Sequence, residues 1–247
     1  MRKAIIAVSF GTTHADAEAA CIRPVEDALR SAFPGWEVHR AWTARLIARR
    51  LRDRGVAVEN EAEAIARLRA EGCDPIALAS THIIPGEEYA LLTRAAQGLK
   101  VSEPLLASDA DLRWMAELLD GLAAEEGCTL LMMGHGTEHA ADETYARLRG
   151  MLSARVKLAC VEGRYGLDGI LPELEALRDR RLTLMPLMLV AGDHAKNDLA
   201  GDGDDSWKRR LEALGFDVKA RLQGLGSLPA VQRRFVEKTR KIISEEA

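Results

Sequence analysis

The sequence predicts an α/β protein built as two similar lobes, each a four-stranded parallel sheet flanked by helices, with a cleft between them. Three observations predict it. Apolar runs of strand length alternate with amphipathic, helix-length stretches along all 247 residues, the pattern of parallel strands with helices on both faces. Two of the apolar runs end alike: KAIIAVSFGT at 3–12 and TLLMMGHGT at 129–137 both close on Gly-Thr and lead into a helix-like stretch. The third strands also correspond, STHIIPGEEY at 80–89 with LMLVAGDHAK at 187–196, so that Gly11 matches Gly136 and Gly86 matches Gly192.

The elements follow in order. The first strand is read at 3–9, and Thr12 or Thr13 caps a helix over 13–32 that Phe33-Pro34-Gly35 terminates. Strands at 36–42, 74–80 and 100–106 and helices at 43–54, 60–71 and 86–97 complete the first half. A join near 105–110 divides the chain into lobes of residues 1–107 and 108–247. The second half carries strands at 128–134, 155–161, 181–190 and 217–222. Its helices are read at 109–125, 139–153, 169–178, 205–214 and 228–245. Ligands of open parallel sheets sit at the carboxyl ends of strands. The first lobe would therefore offer Thr12, Thr13, His82, Glu87 and Glu88, and the second His135, Glu138, His139, Glu162 and His194.

Bulk properties narrow the function classes. Apolar residues make up 47 % of the chain and aromatic ones 4 %, so the core is mostly aliphatic and little stacking surface is available. A net charge of −4 argues against a nucleic-acid partner. Cys21, Cys73, Cys128 and Cys160 show no C-x-x-C spacing and read as reduced, mostly core residues. The apolar stretch Ala4–Phe10 is short for a secretion leader and reads as a strand, and no run is long enough to span a membrane. The expectation is a cytoplasmic protein without a membrane partner; its oligomeric state is not readable, and a homo-oligomer stays open.

The chemistry concentrates in the second half. His135 lies between Gly134 and Gly136, His194 follows Gly192, and Glu162 precedes Gly163; each ends an apolar run. Two imidazoles and a carboxylate suit a divalent first-row metal, and imidazole also accepts protons near neutrality. One strand-end histidine is more often an ordinary loop residue, whereas three such groups in one lobe point to a site. There is no H-E-x-x-H pattern, and SFGTT lacks the glycines and lysine of nucleotide loops, leaving Thr12 as an anion contact or a turn residue. In the basic run ARLIARRLRDRG at 44–55, Arg45 is the candidate to reach a carboxylate ligand, with Arg164 second; the competing reading is a solvated helix face. His82 is a further candidate for the cleft, and His139 either orients a ligand or caps a helix.

Taken together and in order, SFGTT, STHIIPGEEY, MGHGTEH, VEG and AGDHAKNDLAGD resemble the anaerobic-type sirohydrochlorin cobaltochelatases, the CbiK family, over essentially the whole chain. Ala41-Trp42-Thr43-Ala44 departs from the aromatic-Thr-Ser run common in that family. The resemblance implies two flavodoxin-like lobes enclosing a tetrapyrrole, the class II chelatase fold. It implies insertion of Co2+ into sirohydrochlorin on the way to cobalamin, with His135, Glu162 and His194 as metal-binding and catalytic residues. Thr12, His82, Arg45 and Glu88 would contact the macrocycle, and no cofactor is implied beyond the substrate metal. Rival readings are Fe2+ or Ni2+ insertion by the same fold, a non-catalytic metal or tetrapyrrole carrier, and a two-lobe solute-binding protein.

Overall fold

The computed structural model describes residues 2–244. Among them run strands β1 (Arg2–Ser9), β2 (Trp36–Trp42), β3 (Cys73–Ser80), β4 (Lys100–Val101), β5 (Thr129–Gly134), β6 (Val156–Cys160), β7 (Arg181–Pro186) and β8 (Asp217–Ala220). They form two four-stranded parallel sheets, ordered β2-β1-β3-β4 and β6-β5-β7-β8. Matched one to one, the two orders are the same, so the repeat seen in the sequence is a repeat of topology.

In the first unit β1 is central and reads as an unbroken apolar run because both of its faces are covered. Its side chains alternate between them. Ala4, Ile6 and Val8 meet Ile65 and Leu68 of helix Glu61–Ala70 and Leu92 of helix Glu87–Ala95. Ile5 and Ala7 point the other way, toward Leu29 and Phe33. Each such side chain of valine size or larger contributes about 1.5–3 kcal/mol by leaving water. Helix Glu61–Ala70 starts sharply because Asn60 Oδ1 accepts the Ala62 and Glu63 amides while the Glu63 carboxylate accepts the Asn60 amide, a reciprocal cap worth roughly 1 kcal/mol.

The second unit is built likewise. Leu131 and Met133 of β5 and Leu182 and Leu184 of β7 pack with Leu174, Trp207 and Leu211. Helix Asp109–Glu126 packs on β5 and buries Leu112, Met115 and Leu119. Ser108 and Asp111 cap its start reciprocally, and Gly127 ends it in the left-handed region.

Several boundaries differ from the sequence reading. The strand expected at 100–106 is only Lys100–Val101. Ser102 sends its amide to Leu78 O and accepts the Ser80 amide on its hydroxyl, and Pro104 has no N–H to continue a ladder. The strand expected at 181–190 stops at Pro186, opposite Met133, where β5 has almost ended. The first helix begins at Ala15, and Thr12 accepts the His14 amide in a turn ahead of it instead of capping it. Helix 139–153 becomes a 3-10 turn, Ala140–Asp142, followed by helix Glu143–Arg149.

The lobe assignment also needs correcting at the carboxyl end. Among the described residues the first unit comprises Arg2–Leu105 and Gly226–Ser244; the second is Leu106–Leu225. Helix Pro229–Ser244, placed with residues 108–247 by the linear reading, packs instead on β3 and on helix Arg23–Ala32. Its Val236 joins Ile5, Ala7, Leu29, Phe33 and Ala79. An amphipathic helix must bury its apolar stripe, but its sequence does not say against which sheet. Among the described residues no helix is long and apolar enough to cross a membrane.

Candidate metal centre

The second unit brings three of the predicted residues together. The β5–β6 ladder continues two residues past the strand ends: Val161 donates to Gly134 O and Glu162 to His135 O. This extension sets the Glu162 loop directly beside His135. Gly136 is obligatory there, because its φ is +80° and a Cβ would lie 1.9 Å from Glu162 O. His194 arrives from β7 by a different route, at the start of the π-helical turn Ala195–Leu199, an irregularity frequent at functional sites.

The ligand atoms of His135, Glu162 and His194 all lie within 4.8 Å of one another, the one such convergence of three His, Cys, Asp or Glu residues among the described residues. The two imidazoles are perpendicular at 4.8 Å between centroids, and His135 Nδ1 is 3.8 Å from Glu162 Oε2. Each imidazole uses Nδ1 for a second contact. His135 Nδ1 faces Gly136 O at 3.0 Å, and His194 Nδ1 faces Asp198 Oδ2 at 2.7 Å. Both acceptors favour the Nδ1–H tautomer, which leaves each Nε2 lone pair for a metal. The side chains are 43 % exposed for His135, 57 % for Glu162 and 34 % for His194, so the site is open to an incoming ligand.

Asp198 escaped the sequence reading. Its signal was present in the four-residue spacing from His194, which puts both on one helical face. His139, expected to orient a ligand or to cap, caps: its Nδ1 accepts the Ala141 amide. Glu138 is exposed, and Arg164 sits over the Tyr165 ring near Glu143.

The other predicted contacts lie in the first unit. Thr12 is buried and holds the turn before the first helix. His82 is buried at the carboxyl end of β3, with Nδ1 2.9 Å from Ser80 Oγ and Nε2 3.3 Å from Thr43 Oγ1. Burial lowers its pKa from 6.5 to about 4, so the ring is neutral and both nitrogens are engaged. Arg45 pairs with the buried carboxylate of Glu61. Glu88, in the first turn of helix Glu87–Ala95, is half-buried, with Oε2 out of solvent and unpaired.

Known proteins align with this architecture from end to end. A sirohydrochlorin cobaltochelatase of Salmonella typhimurium is 37 % identical over 254 aligned positions, covering 96 % of this chain and 94 % of the relative. Another, CbiKC of Nitratidesulfovibrio vulgaris, is 33 % identical across 90 % of this chain and 84 % of its own length. The crystal structure of the sirohydrochlorin chelatase SirB of Bacillus subtilis subspecies spizizenii, in complex with cobalt, shares the fold at a TM-score of 0.63 and 10 % identity, covering 99 % of this chain and 97 % of that one. A model of the family described as cobalt chelatase (CbiK) matches residues 3–244, which span both sheets and all three converging side chains, and the chain belongs to that family.

Proposed function

We propose that this chain inserts Co2+ into sirohydrochlorin, giving cobalt-sirohydrochlorin for cobalamin synthesis, with His135, Glu162 and His194 as the working residues. The observation that carries the reading is the convergence of two imidazoles and a carboxylate in a chain whose relatives are named sirohydrochlorin cobaltochelatases.

Insertion balances as an exchange: the macrocycle gives up two pyrrole N–H protons and gains one divalent ion. The reacting ion needs ligands that strip part of its water and then let go. His135 and His194 would supply Nε2 lone pairs, and Glu162 a negative oxygen that offsets the ionic charge. As macrocycle nitrogens replace them, each released lone pair becomes a base for a departing proton. The exposed Glu162 carboxylate then hands protons to solvent. Thr12, Arg45, His82 and Glu88 are assigned to the macrocycle in this reading. For Arg45 and His82 that contact runs through groups already paired, so they shape the surface more than they bind freely. No cofactor is needed beyond the substrate metal. Four reduced cysteines support a cytoplasmic site of action.

Two imidazoles and a carboxylate do not by themselves choose among Co2+, Fe2+ and Ni2+. The test is anaerobic incubation with sirohydrochlorin and each ion in turn, followed by absorption. Faster metallation with Co2+ than without protein is expected. No acceleration with any ion overturns the chelatase reading, and acceleration with Fe2+ or Ni2+ alone overturns the choice of metal.

A further inference from the structure

Beyond His135, the mechanism above uses no residue of the segment between β5 and β6, yet that segment places a carboxylate against both loops. Asp142 is 1 % exposed. Its Oδ1 accepts the Thr137 amide at 3.3 Å, two residues beyond His135. Its Oδ2 accepts the Arg164 amide at 3.4 Å, two residues beyond Glu162, and the Arg164 guanidinium lies 3.8 Å away. Gly163, between them in sequence space, has a φ of +77°, and a Cβ there would come within 3.1 Å of both carboxylate oxygens and 2.8 Å of Thr137 O. The carboxylate and the two loops therefore interlock with no room for a side chain.

A second side chain of the same segment supports the first. Tyr145 is buried one helical turn later, with its ring against Gly134 and Cys160. Buried, hydrogen-bonded carboxylates are costly to leave without donors. Here the donors are the backbone of the two loops that carry ligands, so the loops satisfy the carboxylate and the carboxylate in turn fixes the loops.

We propose that Asp142 is a positioning residue of the metal centre, holding the His135 and Glu162 loops at one spacing by bridging their backbones. The inference rests on reading His135, Glu162 and His194 as a Co2+ site. It acts through the ligands, in the way outer-shell partners tune metal sites.

The test compares Asp142→Ala and Asp142→Asn with the unaltered chain. Co2+ binding is measured by calorimetry without macrocycle, and insertion kinetics are measured separately. Asp142→Ala removes both acceptors and is expected to weaken Co2+ binding about tenfold or more, and to lower kcat while leaving KM for sirohydrochlorin unchanged. Asp142→Asn keeps the shape and one acceptor but turns an NH2 toward the other amide, so it breaks one arm of the bridge and is expected to fall between the Ala variant and the unaltered chain in both Co2+ affinity and kcat. The Asn variant carries the test if the Ala variant does not fold: Co2+ binding weakened severalfold, with KM for sirohydrochlorin unchanged, supports the bridge. Unchanged Co2+ affinity in the Asn variant or in a folded Ala variant, or a rise in KM alone, overturns the proposal. The metal-binding arm needs no sirohydrochlorin. Failure of the unaltered chain to metallate sirohydrochlorin would therefore sink the enzymatic reading separately.

Discussion

At the scale of single residues, His194, proposed as a ligand, depends on a neighbour. Asp198 accepts from Nδ1 at 2.7 Å and so directs Nε2 outward as a lone pair. Asp198→Ala is expected to weaken Co2+ binding about tenfold without changing the fold, read by calorimetry and circular dichroism; unchanged affinity would show that other contacts orient the ring. His82 is a contrasting histidine. Burial holds its pKa at about 4 against 6.5 when free. Between these values the unfolded chain binds a proton that the folded chain refuses. The stability linked to His82 is thus complete above about pH 6.5, falls as pH drops toward 4, and changes no further below that. The loss is on the order of 3 kcal/mol. Denaturant titrations at pH 7.5 and 5 should show a smaller difference for His82→Gln than for the unaltered chain, and equal differences would refute this. Sequence alone distinguished these histidines only by context. His135 and His194 stood within two residues of a glycine in motifs, whereas the hydroxyls that enclose His82 come from the end of β3 (Ser80) and from the residue after β2 (Thr43).

At the scale of elements, the strands were legible and their ends less so. Period, apolar runs and glycines identified the segments that became β1–β8, because strands covered on both faces must be apolar throughout. Pairing decides where a strand stops, and pairing is nonlocal: β7 ends when β5 runs out, and β4 ends where Ser102 substitutes for the ladder. The trio was legible because each member closes an apolar run of sequence, although only His135 and Glu162 lie beside strand ends and His194 comes after the loop that follows Pro186. Asp142 was not, because it lies in a turn whose geometry the sequence pattern does not define, whereas Asp198 was marked only by its four-residue spacing from His194. The continued β5–β6 ladder gives a sharp prediction. Gly136→Ala forces a Cβ into Glu162 O at a positive φ, which costs at least about 1–3 kcal/mol and pushes the two ligand loops apart. Loss of both Co2+ affinity and thermal stability is expected. Retention of both would mean that the ladder extension can open without consequence.

At the scale of the whole molecule, the chain is a nested repeat. It builds most of the first unit, leaves it at Leu105, builds the entire second unit, and returns at Gly226 to finish the first. Phe235 of the returning helix is buried to 1 %. Phe235→Ala should cost about 3–5 kcal/mol and speed hydrogen exchange in β1 and β3 more than in β5 and β7. Equal acceleration in both sheets would contradict the assignment of that helix to the first unit alone. The nesting also sets an order of completion at the ribosome. The face of β1 and β3 bearing Ile5, Ala7 and Ala79 lacks part of its cover until helix Pro229–Ser244 is synthesised, whereas the unit bearing His135, Glu162 and His194 is already whole at Leu225. Domains fold as units when their last segment emerges, so the half that begins second finishes first. A nascent chain stalled with residues up to Leu225 outside the tunnel should resist protease around β5–β7 while remaining cleavable around β1–β3, and the reverse pattern would show that the first sheet closes without its final helix.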